Sequence, residues 1–349
     1  MSKTLKQFWH TVNHWEYWPS WIVYLPMTFP WIYYSLRSGS PFFFNGANPG
    51  MANGGFLNVS KMDIYRIIPA QFYPKTHFIS EALQRTELPA LGELAFPVFV
   101  KPDKGLRGRL VQKINDSKEL EWYHQEARFD YLIQESIQYP LEAGIFYIRL
   151  PNQPLGIITG IVQKYLPTVT GNGQSPVKEL MSADPRLSRQ LSAFSKSDPD
   201  ILDQIPKKGE SFICAAYGNH CRGATFIDRS DRITEKLTRV MNDLCLQIPG
   251  FYYGRLDIKF ESWEALESGH DYKIIELNGA LSEPAHIYDP RHSFWKGQLE
   301  IFKHIHYMYL ISKQQQANGI QPLSWLEGFR QMRSHFKTMN LYSMAASKY

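Results

Sequence analysis

The sequence predicts an α+β protein built from more than one packed unit. Two observations carry this prediction: the chain has 349 residues, against about 100–200 for a usual domain, and short strands alternate with helices from residue 96 onward. Hydrophobic residues make up 44% and charged residues 20%, as in ordinary globular proteins. Collagen-like, low-complexity and disordered classes are therefore excluded.

The net charge and the cysteine content indicate which binding partners and which cellular compartment to expect. The 38 Lys and Arg against 33 Asp and Glu give a net charge of +5 that is spread along the chain. This argues against nucleic acid as a partner and favours anionic small molecules. Three cysteines without C-x-x-C spacing predict neither a disulfide framework nor a thiolate zinc site, so we expect a reducing, cytoplasmic location.

The N-terminal region is aromatic and nearly uncharged, since Arg37 is the only charged residue between Tyr17 and Ser60. The stretch 17–36 is long enough for a membrane helix, but its three prolines should break or kink a helix. No signal peptide pattern is present. Two interpretations stay open: a helical layer packed on the main domain, or a face that contacts a partner or the inner membrane surface peripherally.

The first strand of the alternating part is expected at Phe96–Lys101, where it carries Lys101 to its end before Pro102. The loop that follows contains Gly105 and Gly108 among cations. Such a loop either lets the backbone approach a phosphate or simply connects a hairpin. Its sequence is neither a Walker A loop nor a dinucleotide-binding fingerprint.

The remaining elements follow in order and predict a mixed sheet with helices. Asp116 should cap a helix that runs to about Arg128, and Ser230 or Asp231 should begin another. Further helices are expected from Pro176 and over residues 295–313. Strands are expected at 110–114, 131–135, 144–150, 155–165, 251–260 and 272–277.

The last two strands carry the sharpest chemistry. Alternation places Arg255 and Asp257 on one strand face, and Glu276 and Asn278 on one face of the next strand. If the strands pair as a hairpin, two carboxylates and an amide oxygen meet, which is a donor set that suits Mg²⁺, with Arg255 balancing the charge. The alternative is an ion-paired strand face without a metal.

The order of these motifs resembles the ATP-grasp superfamily, in the branch similar to D-alanine–D-alanine ligase and cyanophycin synthetase. The resemblance covers about residues 61–289. It implies an ATP-grasp fold, in which two α+β subdomains sandwich ATP, here with a reduced aromatic-rich N-terminal region and a C-terminal helical tail. The implied domains are 1–75, 76–141 and 142–313, followed by the tail 314–349.

The resemblance also implies roles for single residues. Lys61, Lys101 and the loop Gly105–Gly108 would contact the phosphates of ATP. The adenine hinge would use Gln134 and Glu135, and the ribose would bind Glu142. Mg²⁺ would bind Asp257, Glu276 and Asn278, whereas Arg255 would lie near the transferred phosphoryl group and Arg222 would hold the acceptor carboxylate or that phosphoryl group.

Two segments, 170–177 and 219–225, are similar to cyanophycin synthetase in particular, although Ala224 stands where a second glycine is usual. The region before Lys61 lacks the strands of a Rossmann-like first domain, so D-alanine is not implied as a substrate. The reaction implied is ATP-dependent activation of a carboxylate as an acyl-phosphate, which an amine, or a thiol, then attacks. The partners expected are therefore a carboxylate-bearing small molecule or peptide and an amine acceptor.

Two alternatives to this ligase stay open: a phosphotransferase that acts on a non-carboxylate acceptor, and a membrane-associated scaffold without turnover. Residues 324–349 are basic and contain a capping-box spacing at Ser324 and Glu327. Phe329, Met332 and Phe336 form an apolar stripe there. We expect this tail to pack on its own domain.

Overall fold

The computed structural model describes residues 11, 14–83, 91–105, 108, 110–197, 199–214 and 223–346. Strands and helices alternate from residue 76 onward, after a helical N-terminal region. The helices are α1 Ser20–Tyr24, α2 Thr28–Ser38, α3 Lys61–Ile67, α4 Ser117–Glu126, α5 Val177–Ala183, α6 Leu191–Ser197, α7 Pro199–Leu202, α8 Glu235–Leu246, α9 Trp263–Glu267, α10 Phe294–Ala317 and α11 Trp325–Ala346. None of the described helices is both long and apolar enough to cross a membrane.

Eleven strands form three sheets in the described chain. They are β1 Thr76–Ile79, β2 Val98–Pro102, β3 Gln112–Ile114, β4 Tyr131–Glu135, β5 Leu141–Ile148, β6 Ile157–Tyr165, β7 Thr168–Thr170, β8 Ser211–Ile213, β9 Thr225–Asp228, β10 Tyr253–Phe260 and β11 Tyr272–Asn278. The sheets have the orders β1-β4-β2-β3, β11-β10-β5-β6-β9 and β7-β8. The fold is therefore α+β, as the sequence predicts.

Every strand pair that the structure describes is antiparallel, so the expectation of a mixed sheet is wrong. The neighbours β5 and β6, and likewise β10 and β11, follow each other in the chain and pair as antiparallel strands. Short connections of this kind reverse the chain direction, whereas a parallel pair needs a long crossover.

The five-stranded sheet is covered on both faces. On one face, Ile145 and Ile258 pack in one cluster with Leu237 of α8 and Tyr65 of α3. On the other face, Phe146 packs in a second cluster with Tyr253, Ile301 of α10 and aromatic residues of the N-terminal region. The sheet is thus held between two helical layers, and its second layer includes the aromatic N-terminus.

The four-stranded sheet has its own core. Val98 and Ile133 of the sheet pack with Leu120 of α4, whose N-terminus Asp116 caps by accepting a hydrogen bond from the Glu119 N–H at 3.0 Å. This cap confirms the sequence prediction for α4. The C-terminal helix α11 reaches this core, because Tyr342 packs in it.

Helix α8 begins later than expected. The sequence predicts a start at Ser230 or Asp231, but these residues form a separate 3-10 turn, and Thr234 caps α8 by accepting from the Leu237 N–H at 3.1 Å. Asp228 accepts hydrogen bonds from both the N–H and the hydroxyl of Ser230, at 2.9 and 2.5 Å. These bonds engage Ser230 in the turn, so it does not serve as the helix cap.

The aromatic N-terminal region packs on α10, which confirms the packed-layer interpretation for its inward residues. Trp15, Tyr34 and Phe43 are buried in the cluster that contains Ile301. The prolines do not abolish helical structure, since Pro26 lies in the 3-10 turn Leu25–Met27 and Pro30 in the first turn of α2. Backbone N–H groups in the first turn of a helix have no intrahelical acceptor. Proline, which lacks an N–H, therefore costs no hydrogen bond there, and both positions tolerate it.

Asn48 joins the N-terminal region to the five-stranded sheet. It is fully buried, and its amide donates to the Gly54 and Tyr253 carbonyls at 3.0 and 2.7 Å. Its side-chain oxygen accepts from the N–H groups of Tyr252 and Tyr253, both at 2.9 Å. One side chain therefore satisfies four backbone groups that have little access to water.

We expect Asn48→Ala to lower the free energy of unfolding by about 2–4 kcal/mol, because it leaves several buried backbone groups unpaired. The midpoint of urea denaturation measures the effect. Asn318→Ala, the same change at an exposed position, is the matched control. A difference below about 0.5 kcal/mol between the two variants would contradict the role given to Asn48.

Candidate nucleotide and metal site

Strands β10 and β11 form the hairpin on which the sequence prediction depends. Their register places Asp257 opposite Glu276 and Arg255 opposite Asn278. The four side chains therefore belong to neighbouring positions at the edge of the five-stranded sheet. The hairpin pairing that the sequence analysis required is confirmed.

A buried network of alternating charges surrounds Asp257. Arg255 donates to the two oxygens of Asp257 at 2.7 and 3.1 Å, and Lys164 of β6 lies 3.1 Å from Asp257 and 2.9 Å from Glu142. The side chains of Asp257 and Lys164 are 3% and 7% exposed. Two cations and two carboxylates thus neutralise each other away from water.

The network keeps Asp257 and Lys164 ionised. Burial alone would raise the pKa of Asp257, but the charges of Arg255 and Lys164 outweigh burial and hold that pKa below its ordinary value. Burial would likewise lower the pKa of Lys164, yet Asp257 and Glu142 raise it. Asp257 is therefore an anion at neutral pH, as a metal ligand must be.

Gly144 of β5 makes room for this network. It lies opposite Asp257 in the sheet, and a Cβ atom at this position would meet Cδ of Arg255 and Oδ1 of Asp257, each at 2.9 Å. Contacts this short force neighbouring atoms to move. The glycine therefore permits the close packing of Arg255 and Asp257 against the strand backbone.

Lys101 lies one residue before the end of β2, because the strand includes Pro102, and its side chain is buried. Its Nζ donates to the Tyr65 hydroxyl and to Gln134 Oε1, both at 2.8 Å, and to the Ile275 carbonyl at 3.2 Å. Burial lowers the pKa of Lys101 to about 8, although Glu276 acts in the opposite direction. A lysine ammonium group that is buried in this way has lost its hydration. An approaching anion therefore stabilises its charged form.

Lys61 is a second, half-buried cation near the site. Its Nζ donates to the carbonyls of Pro102, Asp103 and Gly105 at 3.0, 3.3 and 3.2 Å, so it holds the start of the glycine loop. Burial lowers the pKa of Lys61 to about 8. The structure thus brings Lys61 and Gly105 together, and their predicted contacts with the phosphates of ATP stay predictions.

A pocket opens between β11, the glycine loop and α11. Four predicted residues line it: Lys61, Gly105, Glu276 and Asn278. His335, on α11, lines it as well. The enclosed space is about 60 Å³, enough for a few water molecules.

The donor set in this pocket fits a hard cation with phosphate oxygens. Glu276 forms no ion pair with any described residue, and the buried Asn278 Nδ2 has no hydrogen-bond partner among them. The described chain contains no group of three or more His, Cys, Asp and Glu that could hold a metal. A site here would take Glu276 and the amide oxygen of Asn278 from the pocket lining, and Asp257, which lies opposite Glu276 on β10, as a further carboxylate; Mg²⁺ accepts such a set.

The other predicted residues lie differently. Gln134 supports Lys101 and also donates to the Thr76 hydroxyl at 2.8 Å, and Glu135 accepts from the Lys75 N–H at the sheet edge. Gly108 has a positive φ of 67°, and its carbonyl accepts from Val111. Arg222 lies outside the described residues. The ligand roles of these residues stay predictions.

Sequence reasoning missed several residues that shape the site. Lys164 had a signal, since it is the only charged residue in the run 155–165, which was expected to be a strand. Tyr24 had none: its hydroxyl donates to Glu283 at 2.5 Å, and the Glu283 carbonyl accepts from Arg255 at 3.2 Å. Helix α11 had none either, although His335 Nδ1 accepts from the Asn58 N–H at 3.3 Å.

Several solved structures are similar to this chain. A D-alanine–D-alanine ligase from Bacillus anthracis is 12% identical with a TM-score of 0.44, over 75% of this chain and 69% of that one. The VanG D-Ala:D-Ser ligase from Enterococcus faecalis is 13% identical with a TM-score of 0.41, over 72% and 61%. A bifunctional glutathione synthetase from Pasteurella multocida is 15% identical with a TM-score of 0.36, over 70% and 36%.

The chain therefore spans about a third of the length of that glutathione synthetase. No protein-family model matches the sequence, and no curated protein does.

Proposed function

We propose that this protein is an ATP-dependent ligase that joins a carboxylate to an amine through an acyl-phosphate. The observation that carries the proposal is the placement of Asp257 opposite Glu276, and of Arg255 opposite Asn278, close to the buried Lys101 and the half-buried Lys61. Anionic metal ligands beside desolvated cations favour a polyphosphate with its metal ion. The nucleotide would lie between the units 76–141 and 142–313.

The phosphates of ATP would be bound by Lys101, Lys61 and the backbone of the Gly105–Gly108 loop. Each lysine has lost hydration on burial, so a phosphate oxygen replaces the missing solvent and stabilises the charged form. The unpartnered Asn278 Nδ2 would donate to a phosphate oxygen. Gln134 and Glu135 would bind adenine, and Glu142 the ribose.

Mg²⁺ would be held by Asp257, Glu276 and Asn278, and it would supply positive charge against the phosphate oxygens. Asp257 already accepts from Arg255 and Lys164, so those two cations fix the orientation of its carboxylate. Arg255 stays protonated, since Asp257 raises its pKa although burial opposes this. Its guanidinium would offset charge on the phosphoryl group in transit.

In the proposed reaction a substrate carboxylate oxygen attacks the γ-phosphorus, and the bond from that phosphorus to the bridging oxygen of ADP breaks. The amine lone pair then attacks the acyl carbon, phosphate leaves with the bonding electrons, and the amine loses a proton. A thiol would react in the same manner. Arg222 would hold the acceptor carboxylate or the phosphoryl group.

Hydroxylamine tests the reaction class, because it attacks an acyl-phosphate and gives a hydroxamate that ferric ion colours. With an accepted carboxylic acid and Mg²⁺, we expect equal amounts of hydroxamate and ADP. Glu276→Gln, which removes an expected metal ligand, is the inactive control. The acids screened should include amino acids, peptides, hydroxy acids and lipid-linked acids.

The same assay separates the alternatives. A phosphotransferase would release ADP and a phosphorylated product without hydroxamate. A scaffold without turnover would release no ADP with any acid. Release of ADP that depends on one acid yet never yields hydroxamate would reject the ligase proposal.

A further inference from the structure

The helical segment α1–α2 exposes an apolar face. Trp21, Phe29 and Leu36 are 69%, 79% and 79% exposed. Leu25 and Ile32, which lie between these residues in the sequence, are each more than half exposed. Their spacing follows the helical repeat, so the five side chains lie on one side of the segment. The opposite side holds the buried Val23, Met27 and Tyr34 against α10.

Helix α10 continues this face. Trp295 is 76% exposed, and Leu299 and Phe302 follow it along the outside of the helix. A chain of neighbouring rings joins the two helices, running from Tyr33 to Tyr34, then to His306 and Phe302. We call the combined surface of exposed α1, α2 and α10 side chains the outer face. Large exposed apolar patches on a folded domain usually mark a surface that contacts another protein or a membrane.

The exposed charged residues of the three helices that form the outer face all have the same sign. The exposed charged residues of α1, α2 and α10 are all cations: Arg37, Lys296, Lys303 and Lys313. Glu300 is the only acid in these helices, and its side chain is 17% exposed and paired with Lys303 at 2.8 Å. Between residues 17 and 60 the sequence contains no acid at all.

We propose that the outer face docks on the surface of a membrane that contains anionic lipids, with α2 and α10 lying in the plane of the interface. Trp and Tyr suit a boundary with one apolar and one wet side, and flanking lysines bind anionic headgroups. A second copy of the chain fits less well. A two-fold contact would bring cations toward cations with no exposed acid on these helices to pair with them.

Vesicle flotation tests the proposal, with vesicles of about equal parts phosphatidylglycerol and phosphatidylcholine. The full chain should float with them and should float at least about tenfold less with phosphatidylcholine alone. Phe29→Ser combined with Trp295→Ser should reduce the partition coefficient at least about tenfold. Both side chains are largely exposed, so this double variant should keep the fold.

Trp325→Ser combined with Phe336→Ser is the matched control, since it removes two exposed aromatic side chains from α11. This variant should float like the unaltered chain. Flotation that survives Phe29→Ser with Trp295→Ser, or that disappears in the α11 control instead, would overturn the proposal. So would absence of flotation together with self-association in sedimentation that Phe29→Ser and Trp295→Ser abolish, because the face would then bind a second copy.

Discussion

Glu276→Gln should lower turnover of the proposed ligase reaction by about a thousandfold while the fold persists. The change keeps the size of the side chain and removes one anionic ligand, and loss of about 4 kcal/mol of charge stabilisation corresponds to this factor. Glu276 forms no close ion pair with a described residue, and its charge acts on Lys61 and Lys101 only at longer range, so we expect the fold to persist without it. Steady-state ADP release measures the effect, and circular dichroism checks the fold.

Glu261→Gln provides the matched control, because Glu261 is an exposed residue next to the end of β10. Its turnover should stay within about twofold of the unaltered protein. Near-normal turnover of Glu276→Gln would reject the metal site. Asp257→Asn should also abolish turnover, but it should cost about 3–5 kcal/mol of stability, since it leaves Arg255 and Lys164 buried with one carboxylate fewer.

Lys101→Ala should weaken MgATP binding by about 10- to 100-fold and leave adenosine binding nearly unchanged. A hydrogen bond to a charged group contributes about 1.5–3 kcal/mol, and adenosine has no phosphate for the lysine to contact. Titration calorimetry with both ligands measures the difference. Lys113→Ala, at an exposed position on β3, is the control.

Equal loss of affinity for both ligands would show instead that the pocket has collapsed, because Lys101 also holds Tyr65 and Gln134. Lys101→Met keeps more of the side-chain volume and separates these outcomes. The pH dependence adds a second readout. Lys61 and Lys101 have pKa values near 8, so MgATP binding should weaken as pH rises through about 8 and should take up protons there.

The candidate site was predictable where its chemistry follows a local period. Alternation along one strand placed Arg255 and Asp257 on the same face, and the same rule grouped Glu276 with Asn278. Helix caps are local too, and the Ser324 hydroxyl accepts from the Glu327 N–H at 3.2 Å as the capping-box spacing predicted. Sequence patterns of three or four residues predict the structure correctly here, because the interactions that produce them also join residues three or four positions apart.

Partnerships between distant segments depended on packing. Lys164 joins Glu142 and Asp257 only because β6, β5 and β10 come together in one sheet. In the same way Gln134, which the resemblance assigned to adenine, accepts a hydrogen bond from Lys101, because β4 pairs with β2. Strand register and sheet order are set by contacts across the whole chain, which no local pattern contains.

The sequence by itself determined the α+β class, the strand faces of the site and an aromatic N-terminus with almost no charge. Tertiary structure decided which aromatic residues face inward. Trp15 and Tyr34 pack against α10, whereas Trp21 and Phe29 point outward, although all four share the same composition signal. A side chain's exposure depends on which helix face meets a neighbour, and that neighbour, α10, begins more than 250 residues later in the chain.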